Sequence, residues 1–252
     1  MANQSVPDFV LFGDSINDIA KSLQDSLSKI SGSFDYYRSF NKQIGEIITE
    51  SLGRLPNSVK QFAVTGWYPT KEMTFSEIHH MAELVDQKRI EEVDDYMTDH
   101  IQEIKDRIFK GLLDRFPERK NILLSGINAH ERADYYASIP IFLSQSDGLC
   151  YQITGYKLYT TEKKKPKVAK YHQKLKDGTL DHILLQPLTI TSTLISQNET
   201  GYPKYSLNRH LVLHGLSLDY GTFSNSCKAI SALNFVGEIL WASNKDEKIN
   251  AT

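Results

Sequence analysis

Apolar residues recur at three- and four-residue spacing over most of this chain, and that period predicts helices. Ile16, Ile19, Leu23, Leu27 and Ile30 share one face of a helix that starts at Ser15, a suitable cap, and runs to about Leu52. Gly53, Pro56 and Asn57 in SLGRLPNS then interrupt the pattern, so QFAVTGWYPT, ending near Pro69, is expected as a loop or a single short strand. From 72 to 114 the helical pattern returns, with Thr74 or Ser76 as a cap and Ile101, Ile104, Ile108 and Leu112 on one face. Two more helices are predicted after Pro117, parted near Gly126 to Arg132, with Pro140 in a first turn or at a kink. A short helix from about Ser206 should stop at Gly215, a residue suited to left-handed backbone. In the last helix Phe223, Cys227, Ile230, Leu233, Val236 and Leu240 form a continuous apolar stripe that reads as core. The pattern therefore predicts an all-α chain, and its length suits one large domain or two small ones.

One segment departs from that picture. Between Gly155 and Tyr205, Lys157, Lys163, Lys164, Lys165, Lys167, Lys170, Lys174 and Lys176 crowd together with few acids, which predicts an exposed insertion centred on about 156–180. Such a run is a solvated surface or a patch that follows phosphates. The whole chain of 252 residues has a formal net charge of −2, so any attraction for nucleic acid has to be local. With 40% hydrophobic and 24% charged residues it has the composition of a folded protein. Cys150 and Cys227 stand far apart without a CxxC spacing and are expected as small buried hydrophobes in a reducing compartment. The N-terminal MANQSVPDFVLFGDS has no basic region, and no run approaches the ~20 apolar residues of a membrane span. A cytoplasmic protein without membrane contact is the expectation. His79, His80, His100 and His130 are scattered and are expected at the surface or on helix rims.

Candidate chemistry gathers near the end. Arg209 and His214, with His210 between them, sit in a segment that ends at a glycine, so a helix end would present them at one rim. Cleavage of RNA by its own 2′-hydroxyl needs a base, a stabiliser for the charged phosphorane and an acid for the leaving oxygen. Histidine serves as base or acid near neutrality, and a permanently charged arginine suits several phosphate oxygens. Two other readings compete. His210 and His214 have the HxxxH spacing of zinc ligands, but no Glu follows His210 and no third ligand is evident. FVLFGDSIND resembles the nucleophile block of GDSL-type esterases, with Gly13, Asp14 and Ser15 at the turn; yet neither His210 nor His214 has an Asp three residues before it, and strand and helix do not alternate. Ser15 reads better as a helix cap.

The string NRHLVLHG, followed by DYGTFSNSCKAISALNF, resembles the closing helices of the HEPN superfamily, whose signature is Arg, a polar residue, a few variable residues and then His. YYASIPIFLSQSDGL resembles the first long helix of such domains. The resemblance covers approximately residues 119 to 243 and implies two units, an N-terminal helical domain over 1–118 and a HEPN-like helical bundle over 119–252 with the Lys-rich insertion at about 156–180. It implies a metal-independent endoribonuclease without cofactor, with Arg209, His214 and His210 catalytic and Asp147 orienting or charge-balancing Arg209. It further implies that Asn208 and the lysines Lys163, Lys164, Lys165 and Lys167 bind RNA outside the cleft. HEPN proteins commonly form homodimers with a composite site and serve in toxin or anti-phage systems, so an antitoxin or sensor partner is a further implication; some relatives are non-catalytic binding or interaction modules. His210 departs from the pattern, since the family often has Asn after the Arg. Nothing in the sequence names the RNA target.

Overall fold

A computed structural model describes residues 16–30, 35–195 and 207–250. Helices carry nearly all of the regular structure there, which meets the all-α expectation. In chain order they are α1 (Ile16–Ile30), α2 (Asp35–Ala63), α3 (Phe75–Asp86), α4 (Ile90–Arg115), α5 (Lys120–Glu131), α6 (Tyr135–Thr154), α7 (Ala169–His172), α8 (Leu180–Leu184), α9 (Arg209–Leu213), α10 (Phe223–Asn234) and α11 (Trp241–Asn250). Among the described residues, β structure is confined to one antiparallel hairpin, β1 (Thr161–Glu162) with β2 (Lys165–Pro166). No helix among the described residues is long and apolar enough to cross a membrane.

Four boundaries differ from those the pattern predicts. Helix α2 runs straight through Gly53 and Pro56 and carries Gln61 to Ala63 with it. The reason is burial: Leu52, Leu55, Val59 and Phe62, spaced by three and four residues, are each at most 2% exposed. Removing each from water contributes ~1.5–3 kcal/mol, enough together to outweigh a cost of ~3 kcal/mol for an interior proline. The stretch from 72 to 114 is two helices, because Lys88 takes left-handed backbone (φ 61°) between α3 and α4. Thr74 is the cap, in a capping box with Glu77. Helices α5 and α6 part at Arg132 to Asp134, so Gly126 lies inside α5; a Cβ there would come within 2.8 Å of the Phe142 ring, and its absence lets the two helices approach closely. Pro140 stands inside α6, beyond its first turn, and the helix continues past it.

Helix α4 packs on α10, α6 packs on both α5 and α10, and one hydrophobic cluster runs from Leu55 to Leu240. The expected boundary at 118 falls in a 3-10 turn, Pro117–Arg119, and helices on both sides of it feed that cluster. Cys150 and Cys227 are buried free thiols. Ile101, Ile108 and Leu112 are buried as predicted, with Ile104 packed at the margin. The last stripe is core too, with Phe223 partly buried, although between α10 and α11 the backbone widens into a π-helical turn, Phe235–Leu240. Glu238 on that turn is 3% exposed and takes Lys71 and Arg107 at 2.9 Å each, tying the C-terminal helix to α4 and to the loop before α3.

Two expectations about exposure are corrected. The Lys-rich segment is not simply an exposed insertion: Leu158, Tyr159, Val168, Tyr171, Leu180, Ile183, Leu185 and Leu188 are buried in the common cluster, while the lysines, with Glu162, Gln173 and Asp177, face water. Its apolar residues alternate with charges too irregularly to show a helical or strand period. His130 is not a rim residue but is 4% exposed, with Nδ1 2.8 Å from the Ser226 hydroxyl and its ring stacked on Phe223.

Candidate functional site

Helix α9 is only five residues long, and its two ends are fixed by local rules. The Asn208 side-chain oxygen accepts the Leu211 N–H (3.2 Å), which starts the helix at Arg209. At the other end Leu216 N–H donates to the Leu211 carbonyl (2.8 Å) and Gly215 N–H to that of Val212 (3.2 Å), with Gly215 in left-handed backbone (φ 70°). This is a Schellman stop, and it makes His214 the C-cap. The predicted glycine stop is therefore present. Arg209 and His214 occupy the first and the capping positions of one short helix. His210 and His214 lie one turn apart with ring centroids at 4.4 Å, His214 exposed and His210 half-buried.

Helix α9 leans on α6, and this contact brings Asp147 to Arg209, as the resemblance implies. Asp147 Oδ2 lies 3.7 Å from the guanidinium, while Oδ1 accepts the Tyr159 N–H at 3.2 Å. The Arg209 guanidinium carbon stands 5.6 Å from the centroid of the Tyr159 ring. Tyr159 is buried, its hydroxyl 2.7 Å from that of Ser146, and burial pushes its phenol well above the ordinary range. Sequence reading missed Tyr159: it lies outside any periodic stripe, and its role depends on a chain reversal after Gly155, whose left-handed backbone (φ 78°) ends α6.

Arg209 is thus held from below by an aromatic face and from the side by one carboxylate, and its side chain stays partly exposed. Its Nε is buried and has no hydrogen-bond partner among the described residues, and the contact with Asp147 is long. A guanidinium fixed in place and partly exposed suits an incoming oxyanion. Asn208, expected on the RNA side, is 6% exposed and its side-chain oxygen is committed to the cap.

The lysines separate into two groups. Lys163, Lys165 and Lys167, with Lys170, Gln173 and Glu162, line a cavity of about 440 Å³ beside the hairpin. Lys164 lies at the tip outside that lining, and its carbonyl accepts the Thr191 hydroxyl at 3.2 Å. Both tip residues have positive φ, 49° at Lys163 and 63° at Lys164, which gives the two-residue turn type I′ geometry. That geometry favours Asn-Gly, and a lysine in it costs ~1 kcal/mol or more. The hairpin begins two residues after Tyr159, and Lys167 N–H donates to the Thr160 carbonyl at 2.8 Å. Lys163 is therefore at most ~14 Å along the chain from the ring beneath Arg209.

Among the described residues no group of three or more His, Cys, Asp or Glu side chains is arranged to hold a metal. Gly13, Asp14 and Ser15 lie outside the described residues. No protein family, no curated protein and no solved structure matches this chain.

Proposed function

We propose that this protein is a metal-independent endoribonuclease whose reaction is carried by Arg209 and His214, on the HEPN pattern. The observation that carries the reading is the arrangement of α9: a partly exposed guanidinium clamped by Asp147 and Tyr159 at one end, and an exposed imidazole at the other. In this reading a histidine accepts the proton of the ribose 2′-hydroxyl as that oxygen attacks the adjacent phosphorus. The bond from phosphorus to the 5′-oxygen breaks, and a second imidazole returns a proton to that oxygen, leaving a 2′,3′-cyclic phosphate. Arg209 stabilises the charge that builds on the phosphorane. His210 supplies the second imidazole or its facing copy does, since the family pattern pairs two chains about one cleft. Use in a toxin or anti-phage system follows from the same resemblance.

One feature favours the second reading, a HEPN-like module that binds without cutting. His210 replaces the usual polar residue and packs against His214, restricting the ring that would move the proton. Incubation of purified protein with total cellular RNA in excess EDTA separates the two. Chelator-resistant cleavage with cyclic phosphate ends, abolished by Arg209→Ala and by His214→Ala, is the expected result. Intact RNA with the unsubstituted protein, or cleavage left unchanged in both variants, moves the conclusion to the binding module.

A further inference from the structure

We infer that the cavity beside the β1–β2 hairpin is a binding site for a run of consecutive phosphates, as carried by a nucleic-acid strand or a free polyphosphate. The inference deepens the ribonuclease reading by assigning a substrate-holding groove, and it rests on that reading only for its link to cleavage.

Three observations converge. The lining brings together four ammonium groups, Lys163, Lys165, Lys167 and Lys170, against a single acid, Glu162, in a chain whose overall charge is negative. Lys170 is paired with Glu162 at 2.9 Å, so the lining keeps three lysines without a carboxylate of their own in it, together with the Gln173 amide as a neutral donor. Their exposed side chains stand on a backbone that is fixed from both sides, by the ladder from Lys167 to Thr160 and by Thr191 on the Lys164 carbonyl. Finally, the tip places lysine at both left-handed positions, where Asn-Gly would fold more easily. Local strain kept in favour of charge is the pattern of a functional turn. A cavity of about 440 Å³ with spaced ammonium groups fits a chain of phosphates better than one compact anion.

The test uses the full chain carrying His214→Ala, so that binding is read without cleavage, with a labelled single-stranded oligoribonucleotide and, separately, inorganic tripolyphosphate as probes. Replacing Lys163, Lys165 and Lys167 together by Ala should weaken oligoribonucleotide binding roughly tenfold or more and flatten its salt dependence by about two, at ~0.7 per phosphate contact on a single strand. Replacing the exposed Lys21, Lys110 and Lys120 instead should change neither. Lysine-dependent binding of tripolyphosphate as tight as that of the oligoribonucleotide identifies a free polyphosphate as the ligand, and lysine-dependent binding of the oligoribonucleotide alone identifies a strand. Equal affinity and equal salt slope in both triple variants overturn the inference. The two readings fail separately: RNA cut by the unsubstituted protein but held independently of these lysines removes the groove, and RNA held by them but never cut removes the nuclease.

Discussion

Arg209 stands over the ring of Tyr159, with 5.6 Å between guanidinium carbon and ring centroid, while the backbone of the same tyrosine donates to the carboxylate that flanks the arginine. One buried residue therefore sets both neighbours of the candidate catalytic cation.

The two parts of Tyr159 can be separated. Tyr159→Phe keeps the ring and removes the hydroxyl beside Ser146, and should cost about 1 kcal/mol of stability with cleavage nearly unchanged. Tyr159→Ala should cost ~3–5 kcal/mol and also release Arg209, so that any folded protein cuts poorly. Urea unfolding together with cleavage rates at a temperature where both variants stay folded checks this; a Phe variant as inactive as the Ala variant contradicts it.

The Schellman stop gives a second test. Gly215 has open space around it but a φ of 70°, so Gly215→Ala meets no clash and pays only in backbone conformation, about 1 kcal/mol. Because that turn defines where His214 points, cleavage should fall further than stability does, and Gly215→Asn, which tolerates left-handed backbone, should be the milder change. Equal activity of the Ala variant and the unsubstituted protein would mean that the end of α9 does not position the histidine.

The hairpin tip invites the opposite experiment. Lys163→Asn with Lys164→Gly replaces two lysines by the residues that type I′ turns prefer, and should raise stability by about 1–2 kcal/mol while weakening oligoribonucleotide binding. Paired denaturation and binding measurements decide it, and a variant that gains neither stability nor loses affinity speaks against strain held for charge.

Mild acid should loosen the fold through its buried histidines. His100, His130 and His172 all have their pKa lowered, in each case chiefly by burial. The unfolded chain then binds protons near pH 6.5 that the folded chain refuses, so stability is complete above about 6.5 and falls as pH drops through that value toward the lowered folded ones. Glu238 stays ionised throughout: burial alone would raise its pKa, but the hydrogen bond from Lys71 and the charge of Arg107 hold it below the ordinary value. Urea midpoints should therefore decline between pH 7.5 and 5.5, less so in His130→Phe. A flat profile would contradict this.

These tests also show what sequence could and could not reveal. Ile101, Ile108 and Leu112 were legible because a single face of α4 is buried and the period survives in the residue types, and the stripe from Cys227 to Leu240 was legible as apolar although that stretch is buried on every side. Pro56 misled because local propensity is weak beside four buried side chains on the same helix. The apolar residues from Leu158 to Leu188 were hidden among lysines, since short helices and turns impose no period. Arg209 and His214 stood out as a local pair, whereas Asp147 reached the site by resemblance alone and Tyr159 by nothing in the sequence: contact across 50 or more positions leaves no local mark.

Only Thr160 separates the ring under Arg209 from the first strand of the lysine hairpin. Such a join works as a ruler cut into the backbone. Whatever the hairpin grips is held at a set offset from α9, and lengthening the join by one or two glycines would leave each half intact while putting grip and cut out of step.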